Sequence, residues 1–321
     1  MISVLTDPLP LGSALLPELA RKAGRMVRDQ VKPPKYNFGR YRGHYAVTRS
    51  LIEGLKRAGL PHNYNPWRVG QLADRLVVLA GVRTLRQAIE LRRKGYIKKL
   101  FVGPNVVTFS SDCSNLLASP HVDAVIVPSE WVADLYLEDN PSLFDRILSW
   151  PAGVDVDYWI PGTTEARQSI LIFDKQNNGL MGNATPYATF LRQRGYSVEI
   201  INYGSFTHPG YLQALQRAKL MLGFSVGESQ GLAWAEAWSA DVPTLIWRNE
   251  RNTYRDRTFR SSTAPYLSQA NGLFFDDLDD FQQQFDRWEM NPTLFAARNW
   301  TLENMSDEAC ASRLYKKVTA Y

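Results

Sequence analysis

Cysteine is scarce in this chain: Cys113 and Cys310 are its two, and neither sits at a metal-ligand spacing. A thiolate metal cluster is thereby set aside, and a reducing compartment is the simpler setting. Long apolar runs are missing as well, since no segment approaches the ~20 residues that a membrane-spanning helix needs. The opening "MISVLTDPLPLGSALLPELARKAG" lacks a basic stretch followed by a continuous apolar one. Together these absences set the expectation of a cytoplasmic protein. There is no internal repeat of solenoid length and no low-complexity tract.

What is there suits a soluble globular protein. Of 321 residues, 45% are hydrophobic and 21% charged, which is too much chain for one typical core and implies two domains. The formal net charge is +5. That balance fits phosphate-rich partners, and it equally fits a plain solvated surface. The stretch "SALLPELARKAGRMVRDQV" (13–31) reads as a basic amphipathic helix. Such a helix either packs its leucines on a core or touches a membrane surface peripherally.

Short apolar runs alternate with helical patterns. Strands are expected at 75–81, 98–103 and 123–129, with helices at 84–95 and at 129–139, the latter capped by Ser129. "RILSWPAG" (146–153) closes the series. "PAGVDVDYWIPGTTEARQ" (151–168) then reads as an inter-domain linker. The alternation restarts with strands at 169–174, 196–204, 220–225 and 243–247 and helices at 183–195 and 208–219. From about 277 onward the tail reads as helices. The expected fold class is α/β, two tandem Rossmann-like doubly wound domains, with parallel sheets covered on both faces. The expected boundaries are 1–158 and 159–321, with the last helix a candidate to cross back onto the first domain.

Two glutamates stand out in "MLGFSVGESQGLAWAEAWSADVPTLIW" (221–247). Glu228 falls in a glycine-bounded loop after a strand. Glu236 falls two turns into the helix that follows. That helix shows no charged face, so it should be buried all round with Glu236 as a carboxylate inside it. A buried carboxylate requires donors, and a ligand's hydroxyls are one source. The amides of Gln230, Gly231 and Leu232 at the helix start form an anion site, and Gly227 and Gly231 allow close backbone approach. The two glutamates are at most ~12 Å apart along the helix, a span that suits a nucleoside diphosphate-sugar.

"ESQGLAWAE" followed by A-x-x-A-x-x-P-T-L-I resembles the Glu-seven-Glu motif of glycosyltransferase family 4, also called group 1. A second block, "DAVIVPSEWVADLY … RILSWPAGVDVDYWIPG", resembles that family's exit from its N-terminal domain. The resemblance covers about 123–250. It implies the GT-B fold, two Rossmann-like domains facing across a cleft, and sugar transfer from a UDP- or GDP-type donor with retention and without a bound metal or other cofactor. It also implies roles. Glu236 would hold the ribose hydroxyls, Glu228 would contact the transferred sugar, and Ser229, Gln230, Gly231 and Leu232 would cradle the diphosphate. Tyr203 and Gly204 would flank the base.

This chain departs from the family pattern in three places. After the first strand of the second domain the family carries an arginine and then a lysine; here "ILIFDKQNNG" offers Lys175 alone. Ala152 replaces the asparagine of the Asn-Gly-Val-Asp turn, and Ser229 replaces a glycine. Arg40 and Arg42, in a glycine-rich loop of the first domain that contains Gly39 and by the resemblance would face the donor's phosphates, are candidates to supply the missing positive charge. His44, in the same loop, is the histidine to test for a catalytic role, although a lone histidine is usually structural. Asn105, Ser111 and Asp112 are candidate acceptor contacts. "FDDLDDF" (275–281) reads as a helix start rather than a metal motif. No chemistry attaches to "STAPYLS" (262–268). The acceptor is open between a saccharide, a lipid-linked glycan and, less favoured, DNA. Rival readings are a nucleic-acid-binding protein, an inactive relative and a sugar-nucleotide epimerase.

Overall fold

The computed structural model describes residues 1–6, 43–66, 68–176 and 184–321. The basic stretch at 13–31 and the loop holding Gly39, Arg40 and Arg42 lie outside the described residues. The chain divides into two compact units, Met1–Gly153 with Cys310–Tyr321, and Val154–Ala309. No helix among the described residues is long and apolar enough to cross a membrane.

In the first unit six strands form one sheet: β1 (Ile2–Leu5), β2 (His62–Tyr64), β3 (Arg75–Ala80), β4 (Lys99–Asn105), β5 (Ala124–Val127) and β6 (Ile147–Ser149). Their spatial order is β2-β1-β3-β4-β5-β6, and every pairing is parallel. Runs such as "RLVVLA" and "AVIV" have no polar face because both faces are covered. Leu76, Val78, Val102 and Val125 pack to one side, and Val77, Leu79, Phe101 and Ile126 to the other. The last helix, Asp307–Ala320, adds Ala311, Leu314 and Val318 to the second of these layers. Ser129 stands at the N-cap of the helix Glu130–Asp139, as expected, but its buried hydroxyl makes no capping bond.

The second unit repeats the plan with β7 (Ser169–Asp174), β8 (Ser197–Asn202), β9 (Ala218–Phe224), β10 (Thr244–Trp247) and β13 (Gly272–Phe275), in parallel order β13-β10-β9-β7-β8. A separate antiparallel hairpin, β11 (Arg251–Tyr254) and β12 (Arg257–Arg260), interrupts the passage from β10 to β13. "FDDLDDF" does start a helix: the Asp277 side chain caps Leu278–Met290 by accepting from the Asp280 amide at 2.9 Å.

The stretch read as a linker is bound firmly to the second unit from Val154 onward. Trp159 is buried, and its carbonyl accepts from the Ser239 hydroxyl at 2.8 Å. The Arg167 guanidinium donates to the carbonyls of Asp241 (2.8 Å) and Ala240 (3.0 Å). Arg298 donates to the carbonyls of Val156 and Trp159, each at 3.3 Å, and to that of Ser239. One side chain thus satisfies three carbonyls at the ends of two segments.

Replacing Arg298 by methionine keeps much of the side-chain volume and removes all three donors. Unsatisfied acceptors of this kind cost about 1–3 kcal/mol each when they cannot reach water. In chemical denaturation, Arg298→Met should lose about 2–4 kcal/mol, whereas the exposed Arg287→Met should stay within about 0.5 kcal/mol of the parent. Equal behaviour of the two variants would remove the clamp from the account.

Candidate functional site

Strand register assembles the site. Asp174 of β7 is aligned with Asn202 of β8 and with Phe224 of β9. The next residue on each strand, Lys175, Tyr203 and Ser225, therefore leaves the sheet at the same carboxyl edge. The Tyr203 amide donates to the Asp174 carbonyl and the Lys175 amide to the Phe224 carbonyl, both at 2.8 Å. The chain runs from β7 to β8 on one side, then to β9 on the other. This is the topological switch point, where open parallel sheets bind ligands.

Lys175 Nζ lies 2.5 Å from Glu228 Oε1, with the two side chains 15% and 12% exposed. The Ser225 hydroxyl donates to the same Oε1 at 2.8 Å. The ammonium also lies 5.1 Å from the centre of the Tyr203 ring and 5.6 Å from that of Trp234, within cation–π range. The Glu228 amide donates to the Ser262 carbonyl at 2.8 Å, and the Trp234 indole N–H to the Thr263 carbonyl at 2.8 Å. The segment "STAPYLS" thus supplies the backing of the loop.

The loop itself depends on glycine. Gly231 has φ +77°, and a Cβ there would meet Trp234 Cδ1 at 2.5 Å. A Cβ on Gly227 would meet Asn252 Nδ2 at 2.7 Å. The helix that follows, Leu232–Ser239, starts its ladder when the amides of Trp234 and Ala235 donate to the Gly231 carbonyl at 3.0 and 3.2 Å. The amides of Leu232 and Ala233 precede the first helical bond, as at any helix start, and the dipole there favours an anion.

From Trp234 to Ser239 every residue of this helix is buried, and Glu236 is 7% exposed. The charge of Glu236 registers on its neighbours. Burial first, and Glu236 second, push the Tyr211 phenol well above its ordinary range. The same two causes, followed by Asp155, raise Tyr158. Both phenols stay protonated at neutral pH, and that of Tyr211 donates to the Ala233 carbonyl at 2.8 Å.

The structure thus brings together Lys175, Glu228 and Tyr203, with Gly204 (φ +88°) beside Tyr203. Ser229 is exposed, Gln230 is buried and Leu232 half-buried at the start of the helix that carries Glu236. His44 belongs to the first unit, exposed in the first turn of the helix Gly43–Arg57. There, Asn105 ends β4 with its Nδ2 buried and without a hydrogen-bond partner among the described residues. Asp112 holds its own loop by accepting from the amides of Thr108 (3.2 Å) and Phe109 (3.1 Å), and the Ser111 amide donates to Asp139 Oδ2 at 2.7 Å. Ser225, Ser262 and Thr263 were not singled out by sequence. The one available signal was the position of Ser225 as the first polar residue after an apolar strand.

The ion pair can be weighed by a double-mutant cycle. Lys175→Met or Glu228→Gln alone strands a largely desolvated partner and should cost about 3 kcal/mol. The two together should cost less than their sum by about 1–3 kcal/mol in denaturant titration. Strict additivity would show that the pair contributes nothing.

No protein-family model matches the chain, and no curated protein matches it. Solved structures do. A glycosyltransferase from Rickettsia africae is similar at 11% identity and TM-score 0.57, over 99% of this chain and 98% of that one. The lipopolysaccharide outer core galactosyltransferase WaaB, in its apo form, is similar at 13% identity and TM-score 0.53, over 99% of each. The GtfA/B complex is similar at 15% identity and TM-score 0.54, over 77% of this chain and 57% of that chain, so this chain spans little more than half of that relative's length. At such identities the likeness is one of fold: two parallel-sheet α/β domains of the GT-B type.

Proposed function

We propose that the chain transfers a sugar from a nucleoside diphosphate-sugar to an acceptor hydroxyl. The observation that carries this reading is the arrangement around one helix start at the switch point. A lysine and a carboxylate meet at its mouth, and a second carboxylate is buried just over one turn along it. The fold likeness to two sugar-transferring proteins over nearly their full lengths supports it.

The roles follow from chemistry. A diphosphate's oxyanions suit the helix N-terminus and the Lys175 ammonium. Ribose hydroxyls are donors, which is what the buried Glu236 carboxylate accepts. Glu228, displaced from Lys175 by the incoming phosphate, is left to accept from hydroxyls of the transferred sugar. Tyr203, exposed beside Lys175, offers a ring face to the base. In the reaction the bond from the anomeric carbon to the diphosphate oxygen breaks and a bond to the acceptor oxygen forms on the same face. The acceptor's proton passes to the departing diphosphate, whose charge Lys175 and the helix start stabilise. No side-chain nucleophile and no metal enters this scheme, and the acceptor's chemical class stays open within it.

Thermal-shift titration with UDP, GDP and ADP tests the donor site. A ligand present at ~100 times its dissociation constant stabilises by about 2.7 kcal/mol. One of the three should raise the melting temperature of the parent chain, and Glu236→Gln and Lys175→Gln should each blunt that response. A parent unmoved by all three diphosphates would overturn the proposal.

A further inference from the structure

The β11–β12 hairpin meets the site described above through Asn252, which lies against Gly227, and the composition of the rest of it is unusual. Between 248 and 260 the sequence "RNERNTYRDRTFR" holds five arginines, two acids and no lysine. Arg248 is paired with Asp276 at 3.4 Å. The other four, Arg251, Arg255, Arg257 and Arg260, are all exposed.

Two features of this hairpin work against its own stability. First, Arg251 and Arg260 are direct cross-strand partners, and neither makes an ion pair with a described residue. Like charges placed opposite each other weaken a ladder. Second, the turn residues Arg255 and Asp256 have φ +49° and +60°. A two-residue turn of this type favours Asn-Gly, because a side chain crowds the backbone in the left-handed region. Arginine is kept at the tip and in the ladder where local structure would choose otherwise. Such placement points to a partner that uses the charge.

The faces of the ribbon say which partner. Cross-strand partners share a face, so Arg251, Arg260, Thr253 and Thr258 lie together, and the Thr253 and Thr258 hydroxyls bond each other at 2.9 Å. Asn252 is on the opposite face, against Gly227. The arginine face therefore presents charge, with the Asn252 amide turned to the other face and the threonine hydroxyls already engaged. Tyr254, 47% exposed, stands next to the tip with the Arg255 guanidinium 5.3 Å from its ring centre. One exposed aromatic, with Phe259 half-buried, is too few for a base-stacking platform, whereas arginine with tyrosine beside the turn is the composition of a membrane–water interface.

We propose that this hairpin seats the second unit on an anionic phospholipid surface. Arg251 and Arg260 share headgroup phosphates at the root of the ribbon, and Tyr254, paired with Arg257 on the other face beside the turn, enters the interfacial layer tip first. The proposal stands apart from the sugar-transfer reading, because its evidence and its test concern the hairpin alone.

Co-sedimentation of the full chain with vesicles decides it. Phosphatidylcholine vesicles should bind little. Vesicles containing roughly one-third phosphatidylglycerol should bind, and the binding should weaken as salt shortens the screening length. Each arginine near such a surface is worth about fivefold in partition, so Arg251→Gln/Arg260→Gln should bind roughly 25-fold more weakly. Arg255→Asn/Asp256→Gly supplies the control for folding: it removes one charge of each sign and its turn suits the backbone better, so its melting temperature should rise while its vesicle binding stays near that of the parent. Three results would overturn the proposal. They are no binding to anionic vesicles at low salt, undiminished binding by the Arg251/Arg260 variant, or tighter binding to a DNA oligonucleotide that the same variant loses.

Discussion

The contact between Lys175 and Glu228 ties the end of β7 to the loop after β9, and the carboxyl edge of the second sheet is arranged around it. Neither group has much water to fall back on, so each depends on the other. Ser225 adds a donor to the carboxylate, and Tyr203 and Trp234 add ring faces to the ammonium. Those extra partners offset part of the cost of desolvating the pair. The pairing also sets a condition on any anion arriving at the helix start. It must compete with Glu228 for Lys175, and success releases a carboxylate at the spot where the far end of the ligand would lie. One electrostatic exchange would thus prepare both halves of the site.

Much of this plan was legible in the sequence because it rests on local signals. Strands 169–174 and 243–247 hold the apolar runs "ILIF" and "LIW", and the helix carrying Glu236 betrays its burial by lacking a charged face. The spacing of Glu228 and Glu236 across a loop and a helix is likewise local. The elements that escaped are those without such signals. β1 has four residues and β2 three, the latter "HNY" at a sheet edge with no apolar face to announce it. In the hairpin only Tyr254 and Phe259 break a polar sequence, and the turn "RD" lacks the glycine that usually marks it. β13, "GLFF", abuts the helix start "DDLDD" and was absorbed into that pattern.

Partnerships between distant segments were out of reach for a different reason. That Lys175 meets Glu228, or that "STAPYLS" backs the loop, follows from strand order and register. Period and propensity do not encode which strand lies beside which. The linker shows the same limit. Its prolines and glycines announce irregular backbone. The carbonyls it offers to Arg298 and Ser239, which turn it into part of the second unit, are visible only once β9, the helix after it and the tail are in place.

The hairpin and the Glu228 loop share their foundations. The Asn249 side chain donates to the Val226 carbonyl at 2.8 Å and to the Arg251 carbonyl at 2.7 Å, so one amide spans the loop and the root of the ribbon. Asn252 lies against Gly227, and the Ser261 amide bonds the Glu250 carbonyl at 2.8 Å just before Ser262 receives the Glu228 amide. Beneath this junction the Ser261 hydroxyl is buried without a hydrogen-bond partner among the described residues, a small unmet demand where the two segments join. A partner that holds the ribbon can alter the loop only if it binds one arrangement of this junction better than another. The physical means are present, because the loop cannot shift at Val226 or Glu228 without disturbing a bond made by the hairpin or the segment that leaves it.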